Sequence, residues 1–130
     1  MPELLKLAKK VVDGIVLDDA PTSVTSDSFR IGGMDKVSFG ISVTKTSTPT
    51  NVIFTVEVSP DGGTTWLSYD KLLDGSGTDA PVASITYTDT AEDVCSMSPE
   101  DVFDLARVIF TGTGTTSSLK FTCNCWVNGK

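Results

Sequence analysis

Residues 51–73, NVIFTVEVSPDGGTTWLSYDKLL, decide the fold. Val52, Phe54, Val56 and Val58 alternate with Ile53, Thr55 and Glu57, the period-two pattern of a strand with one face buried. The pattern ends at Ser59-Pro60-Asp61-Gly62-Gly63. Here Pro fixes φ, Asp accepts backbone N–H groups and the glycines supply positive φ, so the chain must reverse. Thr64, Thr65, Trp66, Leu67 and Tyr69 resume a β-favouring run, which predicts a hairpin with a large aromatic just past its loop.

Upstream, Val37, Phe39, Ile41 and Val43 alternate with Ser38, Gly40, Ser42 and Thr44, a second strand of the same kind. The polar connection 46–50 predicts that 36–44 and 51–58 are antiparallel neighbours. Downstream, Leu119, Phe121, Cys123, Cys125 and Val127 alternate against Lys120, Thr122, Asn124, Trp126 and Asn128, a long closing strand that leaves Trp126 on its polar face. Shorter runs at 29–31, 82–88 and 107–111 bring the total to seven or eight strands. The acidic stretch 74–79 is a loop; calcium is the less favoured reading of its oxygens, because glycines stand where alternate ligands belong. Ser98-Pro99-Glu100-Asp101 combines an N-cap residue, Pro at the first helical position and acids in the first turn, predicting one short helix over 99–106.

Residues 1–13 stand apart as an N-terminal arm or amphipathic helix, with 14–130 as one β domain. Leu4, Leu5, Leu7, Ala8, Val11 and Val12 carry the apolar stripe and Lys6, Lys9 and Lys10 lie opposite; an extended arm that becomes strand over Gly14 to Leu17 is the alternative. The architecture expected is all-β, an antiparallel β-sandwich of jelly-roll type, with an up-and-down barrel as the second choice.

Composition agrees and excludes several functions. Of 17 acidic residues most are Asp, the turn former, and Thr and Ser are abundant on the strand faces. The net charge of −7, with Arg30 and Arg107 the only arginines, is wrong for phosphate, so nucleic acid is not an expected partner. No histidine is present, which removes the commonest general base and every Ser-His or Cys-His nucleophile pair. Cys123-Asn124-Cys125 is not metal-ligand spacing, and Gly112-Thr113-Gly114 lies between strands without the helix that a phosphate loop needs. Neither a metal nor a cofactor is therefore expected, and the carboxylates Glu57, Asp61 and Asp70 are the only remaining glycosidase material. No apolar run reaches the ~20 residues of a membrane span, and the first ten residues lack a secretory core. The expectation is a non-enzymatic protein made in the cytosol, with buried thiols at Cys95, Cys123 and Cys125; a bridge from Cys95 is the alternative.

Ser59, Asp61, Gly63 and Trp66, with Thr65 between, resemble the Asp-box, the S-x-D-x-G-x-T-W hairpin motif of sialidase-type propellers that also occurs singly in unrelated β domains. The resemblance implies a structural turn in which Asp61 caps the loop and Trp66 packs beneath it. A propeller would need a copy in every blade, and no second copy is present. More broadly, the layout from Phe29-Arg30-Ile31-Gly32-Gly33 through 37–43 to VEVSPDGGTTW resembles small β-sandwich structural proteins of tailed bacteriophages, such as capsid decoration or cement proteins. That resemblance implies a virion location, a capsid or other virion protein as partner, and a homo-oligomer, with a trimer as the guess. A tail or head-fibre component is the nearest variant. The alternative class is a carbohydrate-binding module, stacking a glycan on an exposed Trp. The residues expected to contact the partner are Leu4, Leu5, Leu7, Lys6, Lys9, Lys10 and Trp126.

Overall fold

The computed structural model describes residues 7–17, 23–45, 51–74, 81–98, 103–113 and 121–129. Its strands are β1 (Leu7–Leu17), β2 (Ser23–Thr25), β3 (Phe29–Arg30), β4 (Val37–Lys45), β5 (Asn51–Ser59), β6 (Leu67–Ser68), β7 (Leu73–Asp74), β8 (Ile85–Tyr87), β9 (Ala91–Met97), β10 (Leu105–Thr113) and β11 (Phe121–Gly129). Sheet A runs β1-β11-β4-β9-β7. Sheet B runs β2-β10-β5-β6, with β3 also on β10 and β8 also on β5. Every pairing is antiparallel.

When β2 with β3, and β6 with β8, are each counted as one position and the two-residue β7 is set aside, eight positions remain in chain order. The first, eighth, third and sixth form sheet A, and the second, seventh, fourth and fifth form sheet B. This is the strand order of a jelly roll, and β7 extends sheet A beyond β9.

Alternation drives the burial. Val37, Phe39, Ile41 and Val43 of β4 and Val52, Phe54, Val56 and Val58 of β5 are all buried, as are Ala106, Val108 and Phe110 of β10 and Phe121, Cys123, Cys125 and Val127 of β11. Phe29, Phe39, Phe54 and Phe110 form a chain of ring contacts across the core, with centroids 6.3, 5.8 and 5.3 Å apart in tilted and edge-to-face geometry. Such pairs add about 0.5–1.5 kcal/mol each beyond the area they bury.

Three expectations are corrected. The strands at 36–44 and 51–58 are not neighbours: β4 pairs with β11 and β9, and β5 with β10, in opposite sheets. Each has one apolar face, and the two faces meet across the core at Phe39 and Phe54. The short helix over 99–106 is absent from the described part of that range. Leu105 and Ala106 pair with Ser59 and Val58, and Asp104 N–H donates to Ser59 O at 2.8 Å, so ladder bonds hold the segment extended. Residues 99–102 lie outside the described residues.

The N-terminal stripe is not helical over Leu7–Leu17. The boundary expected after residue 13 falls inside β1, which pairs with β11 along its length. The register shifts between Lys10 and Val12 and again between Val12 and Ile15. Gly14 takes φ +62° there, and its N–H donates to Asn124 Oδ1 at 2.8 Å. These bulges break the period of two, so the apolar spacing imitates a helix.

Candidate functional site

The hairpin between β5 and β6 closes with Glu57 opposite Ser68 and Val58 opposite Leu67. Ser59 is fully buried. Its hydroxyl donates to Asp61 Oδ1 at 2.9 Å and accepts from Gly63 N–H at 2.8 Å. Asp61 Oδ1 also accepts Thr65 N–H at 2.8 Å. The Thr65 bonds, backbone before side chain, hold the Asp61 carboxyl below the usual carboxylate range. Gly63 sits at φ +99°, where a side chain would be strained. The Arg107 guanidinium lies 4.1 Å from the Trp66 ring centre, and its Nη2 is 2.7 Å from Glu57 Oε1. Ser59, Asp61, Gly63 and Thr65 are thus committed to the turn, and Trp66 is stacked against Arg107. Of the carboxylates left over for hydrolysis, Glu57 is ion-paired, Asp61 caps the loop and Asp70 is exposed.

The outer face of sheet A is different. Register places Lys10 beside Trp126, Trp126 beside Gly40, and Gly40 beside Val94, one row across four strands. Trp126 is 44% exposed and Val94 58%. Between them Gly40 contributes no side chain, and a groove of about 580 Å³ opens there, lined also by Ile41, Ser42, Glu92 and Asp93. Lys10 Nζ stands 4.7 Å from the centre of the Trp126 ring and 2.8 Å from Asp13 Oδ1. The next row is Asn124, Ser42 and Glu92, and the row on the other side is Asn128, Ser38 and Ser96. Asp93 closes one end from within the sandwich: its Oδ2 accepts the Tyr87 hydroxyl at 2.8 Å. Burial first, then the Asp93 carboxylate, raises the Tyr87 pKa.

Of the residues expected to meet a partner, Lys9, Lys10 and Trp126 are exposed or partly exposed on sheet A, and Leu7 pairs with Gly129. Leu4, Leu5 and Lys6 lie outside the described residues, as does the acidic loop beyond Asp74. Gly40, Glu92 and Val94 were not singled out by sequence, since only the register brings them to Trp126. Cys123 and Cys125 are buried free thiols, and Cys95 is buried near Cys125. Burial pushes the Cys123 thiol up to about 12, and burial with the neighbouring Cys95 raises that of Cys125. Among the described residues no three His, Cys, Asp or Glu side chains converge as a metal site, and no helix is long and apolar enough to cross a membrane. No family model matches the chain and no curated protein is significantly similar to it.

Proposed function

We propose that this protein is a non-enzymatic structural subunit of a tailed-bacteriophage particle, one that decorates or cements the capsid or serves as a tail or head-fibre component. The observation that carries the reading is the row on the outer face of sheet A, where Trp126 and Val94 stand exposed on either side of a glycine. Aromatic residues are enriched at interfaces between proteins. The jelly roll supports the reading by analogy alone, since it builds both viral capsid and lectin domains. A glycan-binding module would use the same indole, flanked by Asn124 and Asn128. Assembly is preferred because the second tryptophan, Trp66, is covered by Arg107, leaving Trp126, itself flanked by Lys10, as the one exposed tryptophan where sugar sites use several aromatics.

The test combines the mass of the protein in solution with co-sedimentation on tailed-phage particles assembled without this subunit. The reading expects a homo-oligomer, with a trimer as its specific form, and saturable binding to particles that Trp126→Ala weakens. Removing residues 1–6 leaves β1 whole and should keep the melting temperature; loss of oligomeric mass in that variant assigns Leu4, Leu5 and Lys6 to the interface. Removing residues 1–12 deletes half of β1 with buried Val12 and should destabilise the fold by more than about 3 kcal/mol. A monomer that ignores particles and is retained on immobilised neutral glycans overturns the proposal.

A further inference from the structure

Gly40 is an unexplained residue for its place. It lies in the middle of β4, paired on both sides, and it is not among the glycines with positive φ. A Cβ there would come no closer than 3.9 Å to any neighbour, the Cβ and Cε3 of Trp126. Backbone geometry and packing therefore both admit a Cβ, which would rest against the Trp126 indole, and glycine inside a strand weakens it. What the glycine does achieve is a gap: Trp126 and Val94 stand two strand spacings apart, about 10 Å between backbones, with nothing between them.

We infer that this gap is a socket for a basic side chain, lysine or arginine, presented by a partner protein. The identity of the partner as a protein rests on the assembly reading above. The indole and the Val94 isopropyl group offer apolar walls for the aliphatic stem, and Glu92 in the adjoining row offers a carboxylate for the charged head. Charge complementarity selects the occupant. The chain carries a net charge of −7, and the groove-lining ionisable groups, Glu92 and Asp93, are both acids; the nearest cation, Lys10 beside Trp126, is neutralised by Asp13. Asp93 is engaged by Tyr87, whereas Glu92 has no ion-pair partner among the described residues. The molecule already uses this recognition twice within itself: Lys10 over Trp126 with Asp13, and Arg107 over Trp66 with Glu57. In each a cation rests on an indole and is neutralised by a carboxylate. Lys10 approaches Trp126 from β1; on the β4 side, over Gly40, the socket offers the same indole and the Glu92 carboxylate with no cation between them.

The test is a titration of the full-length, isotope-labelled chain with the peptide acetyl-Gly-Arg-Gly-amide and its lysine counterpart, followed by backbone amide and indole N–H resonances. Saturable shifts confined to Gly40, Ser42, Glu92, Val94 and Trp126 are expected. Glu92→Gln should weaken binding about fivefold and flatten its salt dependence. Gly40→Val fills the gap without changing charge and should weaken binding at least about tenfold while the melting temperature holds; Gly40→Ala, the smaller change, should fall between. Equal binding by wild type and Gly40→Val would mean non-specific attraction to an acidic surface and overturns the proposal. So does a peptide that moves none of these resonances, or a neutral oligosaccharide that moves them when the peptide does not. The two readings fail separately: a socket that fills with arginine in a protein that ignores particles discards the virion assignment, and particle binding unaffected by Gly40→Val discards the socket.

Discussion

Ser59→Ala tests whether the hairpin turn is a staple. The Ser59 hydroxyl is buried, accepts from Gly63 N–H at 2.8 Å and donates to Asp61 Oδ1 at 2.9 Å. Alanine leaves the Gly63 donor without that acceptor, and such an orphaned group costs about 1–3 kcal/mol when buried. The Asp61 carboxylate keeps Thr65 N–H and is open to water, so its loss adds little, and the total is about 2 kcal/mol. An unfolding entropy of about 2.1 cal/mol/K per residue makes about 0.27 kcal/mol/K for 130 residues, so the melting temperature should fall by about 7 °C. Differential scanning calorimetry measures this directly. Asp61→Asn serves as the companion. The folded-state pKa of Asp61 is lowered, so its stabilisation is present above the unfolded value near 3.8 and is lost as pH falls below it. The wild type should therefore lose stability on acidification through that range more steeply than Asp61→Asn does. A Ser59→Ala protein that melts within about 2 °C of wild type would show that the turn holds itself without the hydroxyl and would refute the staple.

The thiols of Cys123 and Cys125 have raised pKa values, so they stay protonated in the fold while the unfolded chain ionises above about 9. Urea unfolding should show full stability below pH 9 and a loss of about 1.4 kcal/mol per pH unit per thiol above it, and Ellman's reagent should label them only after denaturation; rapid labelling of the native protein would contradict their burial. Arg107→Met removes the Glu57 pair and the stack on Trp66 and should destabilise by about 1–2 kcal/mol, with a red shift of Trp66 emission; an unchanged spectrum would mean the stack does not cover the indole. Gly40→Ala should raise the melting temperature by about 2–4 °C, because it relieves a strand glycine without a close contact; a lower melting temperature would mean that the fold needs the glycine.

Alternation made β4, β5 and β11 legible, because each has one face buried by a single opposing sheet and so keeps a strict period of two. The turn at 59–66 was legible because its chemistry is local: donors and acceptors within seven residues satisfy one another. The N-terminal stripe was ambiguous for a physical reason. Two bulges advance β1 against β11, and an apolar pattern interrupted twice in eleven residues matches a helix as well as a strand. At 99–106 good capping residues pointed to a helix, but Leu105 and Ala106 extend the β10 ladder against β5. Local propensity gave way to a sheet that is already paired on both sides.

Which strands meet is the part that alternation does not encode. Residues 36–44 and 51–58 show the same period whether they share a sheet or face each other across the core, and only the jelly-roll connectivity puts β4 between β11 and β9. The groove inherits that illegibility. Lys10, Trp126, Gly40 and Val94 come from the first, last, fourth and ninth strands, and no spacing along the chain relates them. Trp126 on a polar face could be found by sequence, because an aromatic there breaks the binary pattern. A glycine on the same face could not, because in a strand rich in Ser and Thr it looks like one more small residue. It becomes conspicuous only when register sets it between an indole and a valine, with room for a Cβ that is not there.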